Sequence, residues 1–330
     1  MGNCCSQTSS PYRRTVKECH PLKSPKFSSS PIWTSAPLLV SPLTFLSGND
    51  DGLLTAYDYS SFSLSASLQL SNPILRLSTP IIPSPTIFSA GRNCAASIYS
   101  YSNDSFTHVH TFPKHNSSVL GLCCARDGSW VCSGSRDYSL TLFDSQSLET
   151  LASAKPSRNV VTDMASFSGD SNSELILQTS EDLKINIWDT DLKFINRIDL
   201  PDFFGTSITS LGQNHFGTVL NGFDGEGGEI YVYDFRNLSS PCVVFSGHDQ
   251  RGNCICQYNS TRFLSVGSDL QLKLWSFNDL SETCLSAVSL PSIPLSVTRV
   301  DDVVVVGCAD GDVVLFEVTG DTLVEKLRLS

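Results

Sequence analysis

The feature that most constrains the fold of this chain is a repeat of short β-type segments that end in an aromatic residue. The segments include LLTAYD, SLTLFD, KINIWD and EIYVYD, and they recur every 41 to 45 residues. Seven aromatic residues end them, namely Tyr57, Tyr99, Phe143, Trp188, Tyr233, Trp275 and Phe316. A period of this length indicates supersecondary units that bury their apolar faces by stacking on one another.

Each repeat also contains a turn before its aromatic residue. Segments such as SGSRDYS and SVGSDL supply the Gly, Ser and Asp that favour tight turns between strands. A further apolar segment follows each aromatic residue, and one more strand per unit makes a four-stranded antiparallel sheet. No segment has helical apolar spacing. Seven such sheets packed radially cover one another, so the sequence predicts an all-β, seven-bladed β-propeller.

The first 30 residues differ in composition from the rest of the chain. Residues 1–30 are rich in Ser and Pro and hold five Lys or Arg against one Glu, so they carry +4 of a chain whose formal net charge is −11. This composition predicts a disordered basic leader over 1–30 and a propeller over 31–330. The acidic body argues against nucleic acid as a partner, because phosphate binding requires a cationic face.

Two short motifs resemble the WD40-repeat family, whose repeats contain a Gly-His pair and end in Trp-Asp. The chain matches them at Gly247–His248 and in IWD at Ile187–Asp189, and the resemblance covers 31–330. It implies a buried network of His, Ser or Thr, Asp and Trp within a blade. The matching positions are His248, Ser265, Asp269 and Trp275 in blade six, His115, Ser133 and Asp137 in blade three, and Asp51, Asp182 and Asp310 in blades one, four and seven.

The same resemblance implies a partner-binding face, built from the residue just before the turn Asp of each blade. Carried over, this ring contains Asp50, Arg92, Arg136, Glu181, Ser268 and Ala309. Arg92 and Arg136 stand out on an acidic body, because exposed Arg is enriched at the hot spots of interfaces. The alternative is that both are ordinary solvated side chains. Blade five departs from the pattern, since Asp224 precedes Tyr233 by nine residues, which predicts a longer turn that protrudes.

The sequence offers no motif for catalysis. His248, Ser265 and Asp269 are the residue types of a catalytic triad, but the repeat already assigns them to a structural network. His108 and His110 share one face of a predicted strand and lack a third metal ligand. The glycine-rich segment at 222–228 lacks a phosphate-binding Lys. We therefore expect no enzyme, no cofactor, no metal site and no small-molecule substrate.

A second functional class remains open at the end of a strand in blade five. The segment YVYDFR resembles the Trp-Asp-x-Arg motif of WD40 substrate receptors in cullin-4 ubiquitin ligases. Tyr233 replaces the Trp, whereas Asp234 and Arg236 match. A substrate receptor of such a ligase is therefore the alternative to a scaffold, and a soluble subunit of a larger complex is a third interpretation.

The N-terminal segment MGNCCS predicts a lipid anchor. Gly2 with Ser6 satisfies the N-myristoylation pattern, and Cys4 and Cys5 are candidate palmitoylation sites. Stable anchoring needs a second acyl chain or a basic patch, and the leader supplies both. The chain has no run of 18 apolar residues and no secretory signal. We therefore expect a cytoplasmic scaffold or adaptor for other proteins, held at the cytosolic face of a membrane.

Overall fold

The computed structural model describes residues 29–155, 158–169, 173–212, 214–224, 226–277 and 283–330. In these ranges it contains 28 β-strands and no helix, and the strands form seven four-stranded sheets. The first strand of each sheet contacts the first strand of the next around a closed ring. The predicted all-β, seven-bladed propeller is therefore confirmed. No helix with the length and hydrophobicity needed to cross a membrane occurs in the described residues.

Every blade consists of four consecutive antiparallel strands, and we number the blades in chain order. Blades one to three contain β1 (Ile32–Leu38), β2 (Thr44–Asn49), β3 (Leu53–Asp58), β4 (Leu64–Gln69), β5 (Ile74–Ser78), β6 (Thr86–Gly91), β7 (Ala96–Ser102), β8 (Ser105–Thr111), β9 (Val119–Cys124), β10 (Trp130–Ser135), β11 (Leu140–Asp144) and β12 (Thr150–Ala154). Blades four and five contain β13 (Val161–Ser168), β14 (Glu174–Ser180), β15 (Lys184–Asp189), β16 (Phe194–Asp199), β17 (Phe204–Ser210), β18 (His215–Asn221), β19 (Ile230–Asp234) and β20 (Val243–Phe245). Blades six and seven contain β21 (Gly252–Gln257), β22 (Arg262–Gly267), β23 (Gln271–Ser276), β24 (Thr283–Ser289), β25 (Pro294–Val300), β26 (Val303–Cys308), β27 (Val313–Thr319) and β28 (Thr322–Leu329).

Burial of the strands falls toward the outer edge of the ring. The second strands are the most buried, and every residue of β2, β10 and β26 is shielded from solvent. The fourth strands are outermost, and in β16 only Ile198 is buried. The gradient arises because both faces of an inner strand pack against neighbouring blades, whereas the fourth strand borders the solvent.

The apolar core lies between neighbouring blades. At the seam of blades two and three, Phe112 stacks on Phe143 with the ring centroids 4.2 Å apart, and both rings belong to one buried cluster with Phe88. Phe143 ends the third sequence repeat. The repeating aromatic residue therefore serves the packing between blades, and offset aromatic stacking adds to its burial.

Among the described residues, the ring closes between blades seven and one without exchange of a strand. Strands β1–β4 complete the first sheet and β25–β28 the last. Ile32 and Phe45 of blade one pack with Val305 and Leu315 of blade seven in a single buried cluster. The C-terminal strand Thr322–Leu329 is the outer strand of blade seven, and no other described segment pairs with its outer edge. Side-chain packing therefore holds the closing seam.

An ion pair crosses the central channel that the first strands line. Arg76 Nε of blade two lies 3.2 Å from Asp163 Oδ1 of blade four. Asp163 Oδ2 also accepts a hydrogen bond of 3.1 Å from the Ile208 amide of blade five. These contacts link three blades that the strand hydrogen bonds leave separate.

Candidate functional site

In every blade, the turn between the second and third strands lies at the same end of the sheet as the start of the first strand, because the strands are antiparallel. We call this side of the disc the turn face. In six blades the first residue of the turn donates its amide hydrogen to the carbonyl oxygen just before the first strand, with N–O distances of 2.9 to 3.3 Å. The pairs are Asp50–Pro31, Arg92–Pro73, Arg136–Ser118, Glu181–Val160, Ser268–Arg251 and Ala309–Ile293.

The six donors are the residues that the sequence assigned to a partner-binding face. Since they share one backbone hydrogen bond, they occupy equivalent positions around the turn face. Blade five breaks the series, because its turn runs from 222 to 229 and the Gly222 amide bonds instead to the Glu226 carbonyl at 2.6 Å. Phe223 of this longer turn is 71% exposed.

The ring residues differ in how far their charges are neutralised. The Arg92 guanidinium lies 3.1 Å from Asp50 Oδ1 of the preceding blade, and the same oxygen accepts a 2.8 Å hydrogen bond from Trp33. The Arg136 side chain is exposed and has no ion-pair partner among the described residues. Arg136 is therefore the ring cation that remains available to a ligand, whereas Arg92 ties blade two to blade one.

The four network residues of blade six form one buried chain of hydrogen bonds. Trp275 Nε1 donates to Ser265 Oγ at 2.8 Å, and Ser265 Oγ lies 2.7 Å from His248 Nε2. His248 Nδ1 lies 2.9 Å from Asp269 Oδ1. With Nδ1 donating to the carboxylate, Nε2 accepts from the serine hydroxyl, so every polar atom of the chain has a partner. Burial opposes ionisation of Asp269, but the His248 contact, the Asp249 amide and the Lys273 charge together outweigh it and lower the pKa of the carboxyl.

Blade three has a related network with a different end. His115 Nε2 lies 2.7 Å from Ser133 Oγ, and Nδ1 lies 2.9 Å from Ser139 Oγ, which in turn donates to Asp137. Asp137 also accepts the Asn116 amide at 2.7 Å. Phe143 cannot donate a hydrogen bond and stacks on Phe112 instead.

The blade-three histidine provides a pH-dependent prediction. Burial lowers the pKa of His115 despite the opposing effect of Asp137. The unfolded chain, with a pKa near ~6.5 at this residue, therefore binds the proton more readily than the folded chain. Neutral His115 therefore contributes fully to the free energy of unfolding above pH ~6.5. The contribution is lost as the pH falls toward the lower pKa that His115 has in the folded chain. Between pH 7 and 5.5, we expect the melting temperature of His115→Gln to fall by less than that of the wild type, because glutamine does not titrate. Calorimetry measures both melting temperatures, and an equal fall with pH in the two proteins would contradict this prediction.

The remaining turn aspartates lack a histidine. Asp182 accepts hydrogen bonds from Ser180 Oγ and from the Arg158 amide. In the same blade, Trp188 Nε1 donates to Gln178 Oε1 at 3.3 Å, so a glutamine takes the place of the serine. Asp51 and Asp310 are exposed in their turns, and no histidine lies among the four residues before the first strand of either blade. Asp51, Asp182 and Asp310 therefore occupy the turn positions that the resemblance implied, without a neighbouring histidine to complete the network.

A second set of positions on the turn face was missed by the sequence reasoning. The residue two positions beyond each ring residue has a left-handed backbone, with φ between 61° and 90°. The set consists of Gly52, Cys94, Tyr138, Leu183, Leu270 and Gly311. Tyr138 and Leu270 are 44% and 38% exposed, so they add apolar surface beside the ring. Counting two residues beyond each ring position in the sequence would have identified them.

The ligase-type residues lie toward the opposite face, with Tyr233 and Asp234 at the end of β19 and Arg236 in the turn that follows. Tyr233 is buried against Phe216, with the ring centroids 5.4 Å apart. The Arg236 guanidinium binds Asp234 through two nitrogens, with Nη2 2.6 Å and Nε 2.9 Å from its oxygens. This hydrogen bonding lowers the pKa of Asp234 to about 2. Arg236 remains 65% exposed despite the ion pair.

The predicted lipidation residues Gly2, Cys4 and Cys5 lie outside the described residues, which begin at 29. Among the described residues, no group of three His, Cys, Asp or Glu side chains is arranged to hold a metal ion.

Comparison with known proteins places this geometry in context. A sequence profile of the WD domain, G-beta repeat, matches residues 106–144. A region of 107 residues, 32% of this chain, is 27% identical to the E3 ubiquitin-protein ligase COP1 of Arabidopsis thaliana, and the chain spans only 15% of that protein's length.

Solved structures resemble the whole ring. The crystal structure of the RRP9 WD40 repeats matches with a TM-score of 0.75 at 12% identity, covering 86% of this chain and 88% of that one. The structure of U3-55K matches with a TM-score of 0.74 at 13% identity, covering 86% and 89%. At these identities the likeness concerns the fold alone.

Proposed function

We propose that this seven-bladed β-propeller, which resembles WD40 proteins, is a non-catalytic scaffold or adaptor that binds other proteins through its turn face. The observation that carries the proposal is the ring of six equivalent turn positions, in which Arg136 is exposed and unpaired. Loops held by a rigid scaffold are suited to recognition, because binding then orders little additional chain.

The buried networks support a non-catalytic role. The His248 side chain is fully buried, and Ser265 Oγ is bonded to both His248 and Trp275. A serine nucleophile needs a free path to its substrate, and this hydroxyl has none. The residues that resemble a triad therefore stabilise blade six.

We also propose that the scaffold is tethered to a membrane through Gly2 and one or both of Cys4 and Cys5. The propeller begins on the turn face, since Pro31, which directly follows the leader, accepts the Asp50 amide hydrogen. An acylated segment with five cations would hold the protein at an anionic cytosolic surface.

The proposal predicts that a single charge reversal on the turn face removes protein partners. We expect Arg136→Glu to lose most of the proteins that co-purify with the wild type from cells, because reversing an exposed interface Arg adds repulsion to the lost contact. Arg126→Glu is the matched control, since it makes the same change at an exposed arginine in the β9–β10 turn on the opposite face. Quantitative mass spectrometry measures both. Equal partner sets for Arg136→Glu and the wild type would refute the role of the turn face.

A second candidate function is substrate reception for a cullin-4 type ubiquitin ligase through Tyr233, Asp234 and Arg236. The observation that favours it is the partial likeness to the ubiquitin ligase COP1, together with the exposed Arg236 at the opposite face. In this case the ligase adaptor would co-purify with the wild type after mild cross-linking and would be lost from Arg236→Glu. Its absence from the cross-linked wild type would exclude this function.

A further inference from the structure

The charged residues of the turn face are divided between two sectors. Five exposed cations lie in the turn-face segments of blades two and three and the connection to blade four, namely Arg92, Lys114, Arg136, Lys155 and Arg158. We call these five residues the basic arc. The remaining turn-face segments hold most of the acids of this face, including Glu181, Asp202, Asp224, Glu226 and Asp249. The turn face of the described residues therefore has a localised positive sector, although the net charge of the chain is −11.

Hydrogen bonds between the segments make the basic arc continuous. The His115 amide, next to Lys114, donates to the Cys94 carbonyl in the turn of Arg92 at 2.8 Å. The Asn116 amide of the same connection donates to Asp137, beside Arg136. One loop thus joins the turns of blades two and three.

The far end of the arc adjoins the same turn. Ala154 pairs with Leu140, which ends the blade-three turn, and Lys155 follows directly. The Arg158 amide bonds to Asp182 at 3.2 Å, where the acidic sector begins.

Asp50 of blade one neutralises Arg92 at the near end of the arc, whereas the other four cations of the arc are uncompensated within the described part of the chain. The segments of the arc hold a single acid, Asp137, whose carboxylate is bonded to Ser139 and the Asn116 amide and is only 11% exposed. Lys114, Arg136, Lys155 and Arg158 have no ion-pair partner among the described residues. Beside them the Tyr138 side chain is 44% exposed. Uncompensated Arg and Lys side chains next to an aromatic ring are suited to an anionic group on a peptide.

We propose that the basic arc binds a phosphorylated or strongly acidic peptide segment of the partner protein. The inference rests on the proposed use of the turn face and specifies the chemistry of its ligand. A peptide fits better than an anionic membrane, because a flat anionic surface would also meet the acidic sector around Glu181, Asp224 and Glu226. A short segment contacts the arc and avoids that sector.

Purified full-length protein tests the inference with defined probes. The probes are the fluorescein-labelled peptide Gly-Gly-pSer-Gly-pSer-Gly-Gly, its unphosphorylated twin, and phosphatidylserine vesicles. Fluorescence anisotropy should detect binding of the phosphopeptide at least tenfold tighter than that of the twin, weakening as salt rises from 50 to 200 mM. The double variant Lys114→Glu, Arg136→Glu should bind it at least tenfold more weakly than the wild type.

A matched control makes the same change in net charge on the opposite face. Arg126→Glu with Lys193→Glu should alter the affinity less than twofold, and circular dichroism should give all proteins the same melting temperature, because the four side chains are exposed. Equal losses in both double variants, equal affinity for the two peptides, or binding to vesicles alone would overturn the inference. Such results would leave the scaffold proposal intact, since partner capture from cells tests it separately.

Discussion

Asp269→Ala is expected to lower the free energy of unfolding by about 3 to 5 kcal/mol, because it removes the acceptor of a buried network. The carboxylate is 5% exposed and lies 2.9 Å from His248 Nδ1 and 3.7 Å from Lys273 Nζ. It also accepts the Asp249 amide at 3.2 Å. Alanine leaves these donors without the acceptor in a site that water barely reaches. Urea-induced unfolding followed by circular dichroism measures the loss.

Asp310→Ala is the matched control for this prediction. Asp310 holds the same turn position in blade seven, but it is exposed and accepts one amide hydrogen bond, from Asp312 at 3.2 Å. Its removal should cost about 1 kcal/mol or less. Similar urea midpoints for the two variants would contradict the view that the histidine network, rather than the turn aspartate itself, stabilises the blade.

Ile32→Ala is expected to destabilise the protein by about 2 to 5 kcal/mol, because it opens a cavity in the seam that closes the ring. Ile32 is 5% exposed and packs with Phe45, Val305 and Leu315. A Cβ atom added at Gly307 would overlap the Ile32 side chain, so the two blades are in close contact at this point. In the part of the chain that the structure describes, neither strand exchange nor a disulfide supplements this packing.

Val324→Ala is the control for the closing seam. Val324 lies on the outer strand of blade seven, is 43% exposed, and should change the unfolding free energy by no more than about 0.5 kcal/mol. If Ile32→Ala unfolds at the wild-type urea midpoint, side-chain packing at this seam does not hold the ring closed.

The sequence predicted the fold because each blade is a local unit. The aromatic at the end of each third strand and the turn before it lie within about ten residues of one another, so their order along the chain specifies the sheet. The blade-six network follows the same logic, since His248, Ser265, Asp269 and Trp275 lie in one repeat and the structure joins them in one chain of hydrogen bonds.

Interactions between blades were not predictable in the same way. The Arg92–Asp50 pair and the Arg76–Asp163 pair each join residues from different repeats, so their proximity depends on how the blades pack around the ring. The basic arc was missed for the same reason. Its five cations are spread over residues 92 to 158, and only the fold brings their loops to one sector of one face.

Proximity labelling in cells tests the central claim most directly, namely that the turn face recruits proteins at a membrane. A labelling enzyme fused to the C-terminus would mark the neighbours of the wild type, of Gly2→Ala, and of the Lys114→Glu, Arg136→Glu double variant. We predict that Gly2→Ala loses membrane neighbours, whereas the double variant keeps them and loses a defined set of soluble proteins. Identical neighbour sets for all three proteins would contradict the account.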